Sequence, residues 1–148
     1  MLTQVFDSEL PFDILDIQLR QHWPDFCGMS KYRNGVVVAH FTSEAVPADF
    51  KTVESQLKSA LVATADRPTV HVNGAAARIV CADALIAADK AIQYVVDWNS
   101  QHGSSAEAPV IDGRVELEFV APVAGLYRIR IQRISELHTG YVMIKAAD

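Results

Sequence analysis

The sequence contains little cysteine and no long apolar segment. Two of its 148 residues are cysteine, Cys27 and Cys81, and they form no CxxC pair. In a protein made in a reducing cytoplasm, both are expected to be free thiols. No apolar run approaches the roughly 20 residues that span a bilayer, and acidic residues precede Arg20 where a secretory signal has a basic start. We therefore expect synthesis in the cytoplasm and no membrane insertion.

Basic residues are also few. Lysine and arginine number 13 against 18 aspartate and glutamate, which gives a net charge of -5. Nucleic-acid binding by phosphate neutralisation requires a basic surface, so we expect no nucleic-acid partner. Half of the residues are hydrophobic, which argues against intrinsic disorder. A chain of this length forms one ordinary domain or two small ones.

Motifs that carry catalysis or bind metals are missing from the sequence. No Gly-x-Ser-x-Gly elbow surrounds Ser104 and Ser105, and the phosphate-binding Gly-x-x-x-x-Gly-Lys pattern does not occur. His22 and Cys27 lie five residues apart, but a zinc site needs four ligands at tighter, repeated spacing. We therefore expect a non-enzymatic protein with no catalytic residue, metal or cofactor.

The hydrophobic period changes near residues 66–68. Before this point, residues 11–20 have helical spacing, residues 36–41 are predicted to form a strand, and a second helix is predicted from about Pro47. Pro68 ends helical structure and marks a boundary. Residues 1–66 are therefore predicted to form a small helix-strand-helix assembly domain.

After residue 66 the apolar residues alternate with a period of two, and turn pairs such as Asp112-Gly113 separate the runs. The resulting fold class is α+β, with an antiparallel β-sandwich over residues 67–148. Residues 83–93 are rich in alanine, and both helix and strand remain open for them. The six predicted strands cover residues 69–72, 78–82, 91–98, 114–120, 126–133 and 141–144.

Three C-terminal segments, residues 112–122, 125–131 and 139–144, resemble a bacterial immunoglobulin-like domain. The resemblance implies that Tyr127, two residues after Gly125, donates its hydroxyl to nearby backbone and fixes a corner between sheets. It also implies that Trp98 is the buried core tryptophan. Ile129 stands where antibody-type domains have their second cysteine, so no inter-sheet disulfide is expected.

Residues 37–42 and 47–50 are similar to segments of phage tail and neck proteins. Together, the two resemblances imply a virion component of a tailed phage. Such a subunit would be made in the host cytoplasm, enter the virion, contact other virion subunits and associate with itself. The alternative is a carbohydrate- or receptor-binding module, in which Trp98, Asn99, Gln101 and His102 would bind a cell-surface glycan.

Three aromatic residues in a predicted loop, Trp23, Phe26 and Tyr32, are candidate interface anchors, because aromatic side chains dominate interface energetics.

Alternating charges on the later strands suggest a second interface. Glu116 and Glu118 share one face of their strand, as Arg128 and Arg130 do of theirs. In a plain hairpin these residues would form cross-strand ion pairs. In a sandwich they belong to opposite sheets, so one outer face would be acidic and the other basic, which suits head-to-tail docking of identical subunits.

Overall fold

The computed structural model describes all residues from Met1 to Asp148. Strands make up 46% of the chain and helices 15%, so the protein is mostly β-sheet, arranged in three separate sheets. Neither of the two α-helices, of 11 and 8 residues, is long and apolar enough to cross a membrane. The chain forms two compact units. The first comprises Met1–Ala60 with Glu136–His138, and the second comprises Leu61–Ser135 with Thr139–Asp148. The predicted division after residue 66 stays a prediction.

The first unit contains an antiparallel three-stranded sheet of order β1-β3-β2 and two helices. The expected helix-strand-helix core is present, but two strands were not predicted. The first has only weak alternation, and the second contains a glycine and a bulge, so neither has a clear strand pattern. The elements are β1 (Leu2–Asp7), α1 (Phe12–His22), β2 (Phe26–Lys31), β3 (Val36–Phe41) and α2 (Phe50–Leu57).

The sequence explains where α1 begins and ends and which face α2 buries. Pro11 precedes the first turn of α1 with φ of -61°, which suits a helix start, and Asp13 lies in that turn. Pro24 follows the end of α1 and disfavours its continuation. In α2, the buried residues Phe50 and Val53 are three apart and Leu57 follows four later, which places them on one face.

Aromatic rings form much of the core of the first unit. The indole of Trp23 stacks on Phe50 at a centroid distance of 5.7 Å and meets Phe41 edge-on at 5.4 Å. Phe26 also packs edge-on against Phe41, at 6.0 Å. Such stacked and edge-on pairs add to the free energy gained by burying apolar surface.

The second unit contains two sheets, of order β4-β6-β9 and β5-β11-β10-β7-β8. All strand pairs are antiparallel except β5 with β11. Side chains from both sheets form one buried cluster, an arrangement compatible with a β-sandwich. The strands are β4 (Ala63–Ala65), β5 (Thr69–His71), β6 (Ala77–Cys81), β7 (Ala91–Trp98), β8 (Ser105–Pro109), β9 (Val115–Phe119), β10 (Gly125–Arg133) and β11 (Thr139–Ala147).

The six strands predicted for this unit are present, two others were missed, and the open question over residues 83–93 is answered. The missed strands are β4 and β8; β8 lies between the predicted strands 91–98 and 114–120, where no strand was predicted. Residues Ala84–Ile86 form one turn of 3-10 helix, and β7 begins at Ala91. The carboxylate of Asp83 accepts the backbone N–H of Leu85 at 3.0 Å and starts this turn.

Candidate functional site

A buried charge cluster lies on β7 and its neighbour β10. Asp97 is directly opposite Arg128 in the strand register, and Arg130 is two residues further along β10, on the same face. Oδ2 of Asp97 accepts from Nε of Arg128 at 3.1 Å and from Nε of Arg130 at 2.7 Å, while its Oδ1 accepts from Nη2 of Arg130 at 3.1 Å. Only 1% of Asp97 is exposed, and less than 10% of either arginine.

The two guanidinium groups keep this carboxylate ionised. Burial is the largest single influence and raises the pKa of Asp97, but the hydrogen bonds and charges of Arg130 and Arg128 together lower it below its ordinary value of 3.8. A general acid or base works best with a pKa near the operating pH, which does not suit Asp97 to proton transfer at neutral pH. The geometry is that of a clamp between two strands.

The space beside this cluster is small. A cavity of about 40 Å³ is lined by Asp97, Ser100, Leu126, Arg128 and Met143. This volume is enough for a few water molecules, whereas small-molecule sites are several hundred Å³. The charge cluster links β7 to β10 by charge-assisted hydrogen bonds.

The predicted basic outer face is wrong, although β9 and β10 do lie in different sheets. Arg128 and Arg130 are buried and bound to Asp97, so they present no basic surface to a partner. Their positions on the outward side of β10 followed from alternation. Asp97, at the matching position of β7, is the signal in the sequence that could have indicated the clamp.

The predicted acidic face is partly neutralised. Glu116 binds Nη2 of Arg78 at 2.6 Å and Nη2 of Arg114 at 2.5 Å, and the hydrogen bond from Arg78 is the main reason that the pKa of Glu116 is lowered. Glu118 is exposed and lies opposite Arg78 in the β6–β9 register. This surface carries charges of both signs.

The three residues predicted to be structural meet at the start of β10. The hydroxyl of the buried Tyr127 donates to the carbonyl of Val123 at 2.7 Å, and the indole Nε1 of Trp98 donates to the carbonyl of Ala124 at 3.1 Å. Gly125 has φ of +147°, and a side chain at this position would overlap the indole of Trp98. Glycine is thus required by both the backbone and the close approach.

The residues proposed for glycan binding are engaged within the chain. The half-buried Trp98 packs against the buried cluster instead of presenting a free ring. The side-chain oxygen of Asn99 accepts from the backbone N–H of Leu126 at 2.9 Å, and Nδ1 of His102 lies 3.3 Å from Oδ1 of Asp97. Gln101 exchanges backbone hydrogen bonds with Trp98. Asn99, Gln101 and His102 are nevertheless exposed, and glycan binding stays a prediction.

Two of the three candidate aromatic anchors are core residues. Trp23 and Phe26 are each 5% exposed, and Phe26 begins β2 instead of lying in a loop. The prediction that these two residues anchor a partner is therefore wrong, because their rings are buried and already pack within the first unit. Tyr32 is 57% exposed and remains available for a contact.

The outward side of the β1-β3-β2 sheet carries an unexpected row of valines. Phe6, Val37, Ala39 and Phe41 are buried on the other side. The outward side bears Val5, which is 60% exposed, and the half-buried Val36 and Val38. Val5 lies directly opposite Val38 in the register. Antiparallel sheets with one solvated face usually place polar residues there.

Histidines and cysteines do not gather into a site. Nε2 of His22 lies 2.5 Å from Oδ2 of Asp49, whose Oδ1 accepts from Nε1 of Trp23 at 2.8 Å; this last hydrogen bond is the main cause of the lowered pKa of Asp49. Cys27 is exposed, whereas Cys81 is buried, and burial raises the pKa of its thiol. No group of three or more His, Cys, Asp or Glu side chains is arranged to hold a metal ion.

The chain matches no protein-family model and no curated protein sequence.

Proposed function

We propose that this chain is a non-enzymatic structural subunit of a tailed-phage virion, which acts through protein-protein contacts. The observation that carries the assembly role is the row of outward valines on the β1-β3-β2 sheet. An apolar side chain that remains in water gains nothing from the hydrophobic effect, whereas its burial against a partner contributes roughly 25 cal/mol for each Å² removed from water. A contiguous apolar patch on a sheet face is typical of a surface that another protein covers.

We also propose an immunoglobulin-like fold for the second unit. If β4, β6 and β9 are equated with strands A, B and E, and β7, β8, β10 and β11 with C, C′, F and G, the observed orders have the arrangement of such sandwiches. The hydroxyl of Tyr127 bonds to backbone four residues upstream, near the start of the strand equated with F. Both features support the immunoglobulin-like fold. The proposed virion role is supported in addition by the resemblance of residues 37–42 and 47–50 to segments of tail and neck proteins.

The native mass of the purified chain tests the assembly role. A structural subunit is expected to sediment at a multiple of 16.3 kDa or to enter a larger particle, and its tryptic peptides should be found in purified virions of the phage that encodes it. A strict monomer, absent from virions, whose melting temperature rises with added carbohydrate would overturn this proposal in favour of a glycan-binding module.

A further inference from the structure

The strand β1 is a free edge without the usual protection against pairing. It hydrogen-bonds to β3 alone, extends over six residues, and contains no proline, lysine or bulge; Asp7 is its one charge. Natural sheets normally protect their edges by such devices. The opposite edge, β2, has them: a bulge between Phe26 and Gly28, and Lys31 at its end.

The other free edges of the protein are also protected. The strands β4 and β5 have three residues each, and β8 ends at Pro109. The remaining edge, β9, carries the charged Glu116 and Glu118. Among the six sheet edges, β1 is thus the one that is six residues long and has only a terminal aspartate as protection.

The direction of the backbone groups on β1 follows from the ladder. The N–H of Ser8 donates to the carbonyl of Gly35 at 2.9 Å, one step beyond the pairing of Asp7 with Val36. Because hydrogen-bonded pairs alternate along an antiparallel ladder, Thr3, Val5 and Asp7 direct their N–H and C=O groups away from β3. All three residues are exposed.

The space next to this edge is open. A groove of about 370 Å³ runs between β1 and α2, lined by Val5, Phe6 and Asp7 on the strand and by Glu54, Ser55 and Lys58 on the helix side. The outer edge of β1 therefore borders open space, whose other wall is the side of α2 with Glu54, Ser55 and Lys58.

We propose that β1 pairs antiparallel with β1 of a second copy of this chain, about a two-fold axis at Val5. The proposal rests on the assembly role proposed above and names its partner and register. Val5 faces Val5 of the partner subunit, and Thr3 faces Asp7 of the partner subunit. The three facing pairs each exchange two backbone hydrogen bonds, which joins two three-stranded sheets into one of six strands.

This register is self-complementary, as a two-fold interface requires. Two β-branched residues meet on the axis, and a hydroxyl meets a carboxylate on either side, so no like charges are opposed. The Val5–Val38 pairs of both copies become one continuous row of four valines.

Sedimentation equilibrium of the full chain tests the edge. Val5→Lys places two ammonium groups opposite each other on the axis and is expected to weaken dimerisation about tenfold or more. The control is Val62→Lys, because Val62 is 63% exposed, closely matching Val5 at 60%, and lies outside every strand. Circular dichroism verifies that both variants fold.

A disulfide tests the register independently. Val5→Cys in a Cys27→Ser background should give a covalent dimer under mild oxidation, because facing residues of paired strands lie within disulfide reach. Val62→Cys in the same background should not.

The two proposals fail in different ways. If the chain assembles but Val5→Lys assembles equally well and Val5→Cys does not cross-link, pairing through β1 is overturned while the structural role stands. If the chain is monomeric at all concentrations and enters no particle, both are overturned.

Discussion

The β1-β3-β2 sheet and the β5-β11-β10-β7-β8 sheet each have a side turned away from the buried core, and the two sides are built in opposite ways. The first exposes valines, with Val5 at 60%. The second buries charges, with Asp97 at 1%. Exposed apolar residues on an outward side are typical of a surface that a partner covers. Buried charges that bond to each other have their partners within the same chain. Polarity alone therefore does not identify an interface; exposure and pairing must be read with it.

The largest expected effect comes from breaking the charge clamp. Asp97→Asn leaves the guanidinium groups of Arg128 and Arg130 buried without their anionic acceptor, which should lower the free energy of unfolding by about 3 kcal/mol. Urea denaturation monitored by tryptophan fluorescence measures the change. Asp112→Asn is the matched control, since Asp112 is an exposed turn residue with φ of +54°, which asparagine tolerates. A loss no larger than that of the control would show that the clamp is not stabilising.

A smaller effect is expected at the start of β10. Tyr127→Phe removes the hydroxyl that donates to Val123 and should cost about 1 kcal/mol, since a typical intramolecular hydrogen bond contributes this much. Tyr32→Phe, which removes an exposed hydroxyl, should change the free energy of unfolding very little. Equal effects of the two substitutions in denaturant titrations would contradict a stabilising role for the corner.

The clamp also predicts a pH dependence. The folded-state pKa of Asp97 is lower than that of the unfolded chain, so the unfolded state binds more protons and stability increases with pH across this window. The contribution is complete above the ordinary pKa of 3.8 and is lost as the pH falls through the lower folded-state pKa.

Measuring the Asp97→Asn variant beside the wild-type chain separates the pH dependence due to Asp97 from that due to the other carboxylates. The difference in stability between the wild-type chain and the variant should be constant from pH 7 to about pH 5 and should shrink below pH 4, as measured by thermal unfolding at each pH. A difference that grows towards acid pH would have the wrong sign for a carboxylate stabilised by arginines.

The smallest effect is expected at the valine row. Val5→Thr keeps a β-branched strand residue and should change the stability of the isolated chain by less than about 0.5 kcal/mol, because an exposed side chain contributes little to the core. Unfolding at high dilution measures this change. A loss comparable with that of Asp97→Asn would show that the row belongs to the internal core.

The pattern of apolar residues predicted those strands whose sequences strongly favour a strand over a helix or a loop. The run of β3, Val36–Phe41, and the alternation of β7, Ala91–Trp98, have the same bounds in the structure as in the prediction. The missed strands β1, β2, β4 and β8 are all edges. An edge strand buries fewer side chains, so its sequence is less constrained to alternate.

The same physical limit applies to the site. Alternation placed Arg128 and Arg130 on the outward side of β10, but it does not determine what covers that side. Both guanidinium groups bind Asp97 on the neighbouring strand, and the N–H of Gly103, in the segment after β7, approaches Oδ1 of Asp97 at 3.4 Å. The contact of Tyr127 with Val123 spans four residues and was accessible through the local Gly-x-Tyr pattern.

The membership of residues Glu136–His138 in the first unit has a consequence for the order of folding. Leu137 donates its N–H to Oε1 of Gln56 at 3.0 Å, and its carbonyl accepts from Nε2 of Gln18 at 3.4 Å. These bonds join residues 81 and 119 positions apart. During synthesis from the N-terminus, the first unit cannot complete them until residues 136–138 have left the ribosome. An excised N-terminal fragment would lack the same closing segment.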